Sequence, residues 1–129
     1  MRKIFNKDCN NNAEILKEIF KEVQKCVGDE LVWDVSDLEI VPIIQRDYIN
    51  ETLDADIEKV YKFELQVSKE HHALISSTEL NSIIEYTKTI YYGMFQANFD
   101  GIKIVTIRIF DGDIIEIDGT IEEMISIQE

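Results

Sequence analysis

The chain has 129 residues, 45% hydrophobic and 30% charged, and its 26 acidic and 13 basic residues give a formal net charge of -13. This size fits one domain with a buried core, so we expect a single globular domain over residues 1–129, and the negative charge disfavours binding to nucleic acid or an anionic membrane. The N-terminus lacks the apolar run of a signal peptide and no later segment is apolar enough to span a bilayer, so we expect a cytoplasmic protein.

The first predicted element is an amphipathic helix over residues 13–28. Gly28 supplies a C-terminal stop, and Asn11 followed three residues later by Glu14 resembles a capping box with asparagine at its first position. The apolar residues that recur at helical spacing are Ile15, Leu16, Ile19, Phe20, Val23 and Val27. Cys9 precedes this helix and Cys26 lies within it. Because the two cysteines lack C-x-x-C spacing, both are expected to stay reduced.

The following segments favour extended structure. Residues 31–35 (LVWDV) have the alternation of a half-buried strand, whereas Pro42 makes residues 38–44 an edge strand or an irregular extension. The polar residues 45–56 predict a loop. Residues 60–67 are predicted to form another strand, because Tyr61, Phe63, Leu65 and Val67 alternate with Lys62, Glu64 and Gln66.

A short middle helix is predicted next. His71 and His72 are expected in a surface loop, since adjacent histidines point in different directions in either regular structure and make a poor pair of metal ligands. Ser76 and Glu79 form a capping box that opens the helix, and apolar residues continue it to about Lys88.

The last third of the chain predicts an antiparallel meander. Residues 90–99 and 102–110 are both rich in strand-forming residues, and the dipeptide between them is a strong hairpin signal. A second such dipeptide separates Phe110 from Asp113, with Ile114, Ile115 and Ile117 beyond it, and a capping box at Thr120 predicts a C-terminal helix. The two dipeptides are Asp100-Gly101 and Asp111-Gly112.

Together these elements predict an α+β fold. Consecutive strands joined by short turns favour a largely antiparallel sheet of about five to six strands. An N-terminal helix, a middle helix and a short C-terminal helix are expected to pack on this sheet.

The stretch FDGDIIEIDG, residues 110–119, is the segment most suggestive of chemistry. Asp111, Asp113 and Glu122 occupy positions 1, 3 and 12 of an EF-hand count, but Ile115 stands where an oxygen ligand belongs and Glu116 where the turn needs glycine. The aspartates and glycines are better explained as turn residues. We therefore expect no metal and no cofactor, and the chain contains no recognisable catalytic motif.

Negative charge is concentrated in two blocks, and one of them predicts a binding site. Residues 29–58 contain ten acidic residues against Arg46 alone, and residues 111–129 contain seven and no basic residue. Carboxylates and an aromatic residue on a polar loop would attract and anchor a basic protein. The predicted partner-binding residues are Asp47, Tyr48, Glu51, Asp54 and Asp56.

In size, charge and α+β pattern, and without a shared motif, the chain resembles the small acidic immunity proteins of bacterial toxin systems. The resemblance implies a non-enzymatic inhibitor that binds and neutralises a basic partner such as a nuclease toxin. Acidity that serves solubility alone explains the charge equally well. Mimicry of DNA charge fits less well, because residues 59–110 are nearly neutral, and the sequence does not decide whether copies of the chain associate.

A second class of function stays open. A small-ligand-binding or enzymatic domain would use an aromatic-lined pocket on the sheet. The candidate lining residues are Trp33, Phe63, Tyr91 and Tyr92.

Overall fold

The computed structural model describes residues 1–6, 11–43 and 55–120. Within these ranges six strands form one antiparallel sheet in the order β1-β6-β5-β4-β2-β3, and three helices pack on it, which confirms the predicted α+β class. The C-terminal helix predicted from Thr120 falls on residues 121–129, outside the described residues. The elements are β1 (Arg2–Phe5), α1 (Ala13–Val27), β2 (Val32–Pro42), α2 (Ala55–Glu70), β3 (His72–Ser76), α3 (Ser77–Glu85), β4 (Thr87–Phe99), β5 (Ile102–Phe110) and β6 (Ile114–Gly119).

The core lies between one face of the sheet and the helices. Alternate residues of the strands point into this core, and α1 contributes the Phe20 ring, whose centroid is 5.0 Å from those of both Trp33 and Phe95. All three rings are fully buried. The helix α1 is therefore fixed over the centre of the sheet by aromatic packing, as its amphipathic pattern predicts.

Two of the predicted turns are confirmed by their backbone conformation. Asp100 and Gly101 have φ values of 52° and 78°, and Asp111 and Gly112 have φ values of 53° and 76°. These values lie in the left-handed region, which glycine adopts without strain and which aspartate tolerates better than most residues. The turns connect β4 to β5 and β5 to β6, so the predicted meander is present.

The strand predicted over residues 60–67 is wrong, because these residues lie within helix α2. Phe63 and Val67 fit a period of two as well as a helical period, which makes the short segment ambiguous. The buried set decides the structure: Ile57, Val60, Phe63 and Val67 share one helical face. Leu65, expected to be buried beside Phe63, is 66% exposed.

Strand β2 is longer than predicted and includes Pro42. Strand β3 pairs with β2 over Val32–Ser36, so the rest of β2 has strand β4 on one side. On its other side the carboxylate of Glu64 in α2 accepts a hydrogen bond from the backbone N–H of Ile40 at 2.8 Å. Pro42 has no backbone N–H, and it lies in the half of β2 that does not pair with β3. No hydrogen bond to β3 is lost there, which agrees with the prediction of an edge strand.

The capping predictions divide. Ser76 caps α3 as expected, because its hydroxyl accepts a hydrogen bond from the backbone N–H of Glu79 at 3.1 Å. The capping box at Asn11 is wrong: the N-cap of α1 is Asn12, which makes no side-chain cap bond. The side chain of Asn12 forms other hydrogen bonds, described below, and these explain why the cap is not made.

Strands β1 and β3 were not predicted. His72 begins β3, so the surface loop expected for both histidines is limited to His71, which has a φ of 72° between α2 and β3. Helix α3 ends at Glu85, earlier than predicted, because Thr87 begins β4.

Candidate functional site: the open face of the sheet

The predicted partner-binding segment is largely outside the described residues. Asp47, Tyr48, Glu51 and Asp54 fall in the range 44–54. Asp56 was expected in a loop but lies in the first turn of α2, where its carboxylate is 3.8 Å from the ammonium nitrogen of Lys59. An acidic residue near a helix N-terminus is favourable in its own right, so the position of Asp56 has a structural explanation.

The four aromatic residues predicted to line a pocket do not share the depression described below. Trp33 is fully buried in the core, Tyr91 is half-buried and Tyr92 is 40% exposed. Phe63 alone lines a depression of about 430 Å³, which lies between α2, β3 and α3 and is open to solvent. The other residues that line this depression are Lys59, Lys62, Gln66, Leu74, Ile75, Glu79, Ser82 and Ile83.

The face of the sheet opposite the core carries the more extensive surface. We call this surface the open face. In the strand pairs of the described residues its side chains are exposed or half-buried, with Thr106 as the buried exception. Antiparallel partners point to the same side of a sheet, so the strand register gives its rows directly. The open face includes Lys3, Phe5, Val32, Asp34, Ser36, Glu39, His72, Leu74, Ser76, Tyr92, Met94, Gln96, Asn98, Thr106, Arg108, Phe110, Ile114, Glu116 and Asp118.

One corner of the open face is apolar, and we call it the aromatic corner. Phe5 is paired with Ile114, and Ile114 with Phe110. Continuing the β4–β5 register by one residue beyond Gly93 and Ile109 places Tyr92 opposite Phe110. The three aromatic side chains are between 40% and 63% exposed. Exposed aromatic side chains on neighbouring strands are typical of a contact surface.

Carboxylates border the aromatic corner. The Tyr92 hydroxyl donates a hydrogen bond to the carboxylate of Asp111, and Glu39 is the cross-strand partner of Tyr92. The hydrogen bond to Asp111 raises the pKa of the Tyr92 hydroxyl, and the charges of Asp111, Glu39 and Asp113 raise it further. All the described charged groups that perturb this hydroxyl are therefore negative, and the corner has a local negative potential.

A buried asparagine fixes the turn beneath this corner. Asn12 is fully buried, and its side-chain oxygen accepts a hydrogen bond from the N–H of Ile90 at 2.8 Å. Its side-chain nitrogen donates to the carbonyl oxygens of Ile90 at 2.7 Å and Gly112 at 3.0 Å. The Gly112 N–H also donates to the Tyr91 carbonyl at 3.0 Å. The start of α1, strand β4 and the β5–β6 turn are thus held by one hydrogen-bonded group, which gives the aromatic corner a defined geometry.

Two carboxylates elsewhere on the open face have a basic neighbour. In the next row Glu116 lies between Lys3 and Arg108, and its carboxylate is 3.4 Å from the Lys3 ammonium. Near the far edge the His72 ring nitrogen Nδ1 is 2.9 Å from a carboxylate oxygen of Asp34. Among the described residues of the open face, carboxylates therefore lie beside exposed aromatic rings at this corner.

The arrangement offers no metal site within residues 1–6, 11–43 and 55–120, where no group of three histidine, cysteine or acidic side chains converges. Asp111 and Asp113 belong to the β5–β6 turn, and the Asp113 N–H donates to the Phe110 carbonyl at 3.2 Å. Their predicted role as turn residues is confirmed, while Glu122 lies outside the described residues. What the corner can do chemically is present flat apolar surface and negative charge together.

The sequence contains a signal for this corner that was missed. From Val105 to Ile109 in β5 and from Ile115 to Asp118 in β6, inward positions are apolar and outward positions are polar, whereas Phe110 and Ile114 place an apolar residue at an outward position. Phe5 in β1 breaks the same alternation after Lys3. One outward apolar residue in a single strand is a weak signal. The strand register places Phe5, Ile114 and Phe110 side by side, so together they form an apolar surface.

None of the described helices combines the length and the apolar character needed to cross a membrane. Comparison of the chain with protein-family models, with curated proteins and with solved structures finds no match.

Proposed function

We propose that the chain is a non-enzymatic acidic interaction protein that binds and neutralises a basic protein partner. In its specific form, the proposal is an immunity or inhibitor protein that acts in the cytoplasm on a bacterial toxin, for example a nuclease. One observation carries the proposal for the described residues: exposed aromatic rings and uncompensated carboxylates lie together on an uncovered sheet face.

Charge and apolar surface have different roles in such an interface. Long-range attraction between a chain of net charge -13 and a basic protein accelerates their encounter. Aromatic residues in the centre of an interface supply most of the affinity and mainly slow dissociation. The aromatic corner and its bordering carboxylates supply both features within five strands, whereas the predicted loop residues Asp47, Tyr48, Glu51 and Asp54 lie outside the described residues.

The charge also favours a different protein over a second copy of the chain. Two copies would bring their carboxylates at Glu39, Asp111 and Asp113 toward each other, and like charges in contact oppose association. A cationic surface has the opposite effect, because it neutralises the same groups. The complementary occupant of the open face is therefore a basic protein.

The experiment begins with affinity capture at low salt from the source cell and elution at high salt. Association of each purified captured protein is then measured with the parent chain and with the double variant Glu39→Gln, Asp111→Asn. Asparagine tolerates the left-handed backbone at position 111, so the turn is expected to persist. We expect slower association and a weaker dependence on salt for this variant.

The matched control removes two charges elsewhere. Glu18 on α1 and Glu30 before β2 are exposed and do not lie on the open face, so Glu18→Gln, Glu30→Gln tests net charge alone. Melting curves establish that each variant is folded. Equal slowing by both double variants would contradict docking at the corner, and the absence of any basic protein that binds the purified chain would contradict the proposed function itself.

One observation favours a second candidate, a small-ligand-binding or enzymatic domain. The depression beside Phe63 has a volume of about 430 Å³, which is within the range of ligand pockets. Its lining combines apolar residues such as Phe63 and Ile83 with the cationic Lys59 and Lys62. If no basic partner is found, a small-molecule screen by melting temperature, with Phe63→Leu as the comparison, tests this candidate.

A further inference from the structure

We propose that the aromatic corner receives an arginine side chain of the basic partner, with its guanidinium on the Tyr92 and Phe110 rings and within reach of the Glu39 and Asp111 carboxylates. This inference rests on the proposed function and specifies the chemistry that the corner recognises. It is argued from the register of the strands, from the exposure of the rings and from charge complementarity.

The composition of the corner matches a planar cation. A guanidinium is weakly hydrated, stacks on aromatic rings and presents several donors in one plane, so it gains from rings and carboxylates at the same time. Tyr92 and Phe110 are each 40% exposed, which leaves their surfaces accessible. The carboxylate of Asp111 accepts one hydrogen bond from Tyr92 and has further acceptor capacity.

The alternatives at this corner are less well matched. An apolar partner residue would leave the carboxylates of Glu39 and Asp111 without compensation as they lost contact with water. A lysine would satisfy the charge, but its compact and strongly hydrated ammonium gains less from the rings. The neighbouring row has Lys3 and Arg108 around Glu116, so a cation is better accommodated at the corner than there.

The corner is also rigid enough to select a side chain. Asn12 fixes the β5–β6 turn from the core side through the Gly112 carbonyl, and Gly112 bonds Tyr91, the neighbour of Tyr92. The positions of the ring and the carboxylate at Tyr92 and Asp111 are therefore set before binding. Preformed geometry reduces the entropy lost on association.

The test uses two probes of equal length and charge, acetylated and amidated hexa-arginine and hexa-lysine peptides. Each is titrated at low salt into the isotope-labelled full chain, and amide chemical shifts are followed by NMR. We expect hexa-arginine to shift the signals of Tyr92, Phe110 and Asp111 and to bind about fivefold more tightly than hexa-lysine.

Variants separate the rings from the charges. Phe110→Ala is expected to remove most of the preference for arginine, whereas Glu39→Gln with Asp111→Asn weakens both peptides. Phe99→Ala is the control, because Phe99 is 37% exposed but lies at the other end of β4. As a second readout, bound hexa-arginine should lower the pKa of Tyr92, since a cation then offsets the neighbouring carboxylates.

The outcomes distinguish this inference from the proposed function. Equal binding of both peptides, or shifts centred away from the corner, overturns the arginine assignment while binding of a basic partner stands. Preference for arginine that survives in Phe110→Ala also overturns it. If hexa-arginine binds at the corner but the captured protein ignores the Glu39 and Asp111 substitutions, the subsite is real and the proposed docking surface is wrong.

Discussion

The tripeptide Phe-Asp-Gly occurs twice in the chain, at residues 99–101 and 110–112, and the two copies differ in their surroundings. The φ values at aspartate and glycine agree within 2° between the two copies. The loop after Phe99 has two residues and the loop after Phe110 has three. The local sequence therefore determines the local backbone, as expected for Asp-Gly between strands.

The tertiary contacts of the two turns are unlike. An added side-chain carbon at Gly101 would have no atom within 4 Å, so that turn projects into solvent. Gly112 is buried, with its N–H donated to Tyr91 and its carbonyl bonded by Asn12, and Asp111 accepts from Tyr92. The Asp-Gly dipeptide therefore determines the backbone conformation of each turn. Residues distant in the sequence determine whether the turn is packed against the rest of the protein.

The largest expected effect on stability comes from removing the Asn12 side chain, which bonds the Gly112 turn and not the Gly101 turn. Asn12→Ala leaves the Ile90 N–H and the Ile90 and Gly112 carbonyls buried without this partner. We expect the free energy of unfolding to fall by about 3 kcal/mol and the melting temperature by roughly 10 °C. Thermal and denaturant unfolding measure the change.

Asn11→Ala is the matched control for Asn12. Asn11 is exposed, so its truncation should change the free energy of unfolding by less than about 0.5 kcal/mol. A larger loss at Asn11 than at Asn12 would mean that the sequence-predicted capping box operates and that the buried network does not.

A smaller effect is expected at the solvent-exposed turn. Gly101→Val forces a β-branched residue to a φ of 78° and should cost about 1 to 3 kcal/mol of unfolding free energy. Gly101→Asn should be nearly neutral, because asparagine adopts this conformation and the position is open. Equal losses of unfolding free energy for the two substitutions would mean that the positive φ at position 101 is not the cause of the destabilisation.

The smallest expected effect is on proton binding. Tyr92 should ionise above its ordinary pKa of 10.0, because Asp111 accepts its hydrogen bond and adds negative charge. Its neutral form is favoured in the folded state, so this contribution to stability is complete below pH 10 and is lost as pH rises through the folded pKa. Alkaline titration of phenol absorbance, with Tyr92→Phe to identify the signal, measures it.

The two aspartates provide the comparison for this titration. Asp111→Asn should lower the pKa of Tyr92, whereas Asp100→Asn in the other copy of the tripeptide should leave it unchanged. An equal change from both substitutions would show that Tyr92 responds to net charge and not to its contact with Asp111.

Much of the fold was predictable because its signals are local. The Asp-Gly turns, the amphipathic pattern of α1 and the Ser76 cap each need a few neighbouring residues to take effect, and all three were confirmed. Helix α2 was mistaken for a strand because Phe63 and Val67 satisfy both periods. Strands β1 and β3 are short, and their pairing depends on partners distant in the chain.

The candidate site was not predictable in the same way. Its residues come from β1, β2, β4, β5 and β6, and their proximity depends on a register that joins Phe5 to Ile114. The sequence pattern predicted a helix cap at Asn11 and no role for Asn12, whose hydrogen-bond partners lie 78 and 100 residues away. Composition predicted acidic surface, and long-range strand pairing determines where the exposed aromatic rings of the described residues come together.

The most direct test of the central claim compares the phenylalanines of the two tripeptides. Dissociation of the captured basic partner is measured for the parent chain, for Phe110→Ala and for Phe99→Ala, after melting curves have shown that both variants are folded. Because the exposed fractions of the two rings are 40% and 37%, loss of apolar surface alone predicts similar effects. Docking at the aromatic corner predicts dissociation about tenfold faster for Phe110→Ala and unchanged for Phe99→Ala. Equal rates for the two variants, or the larger increase at Phe99, would contradict it.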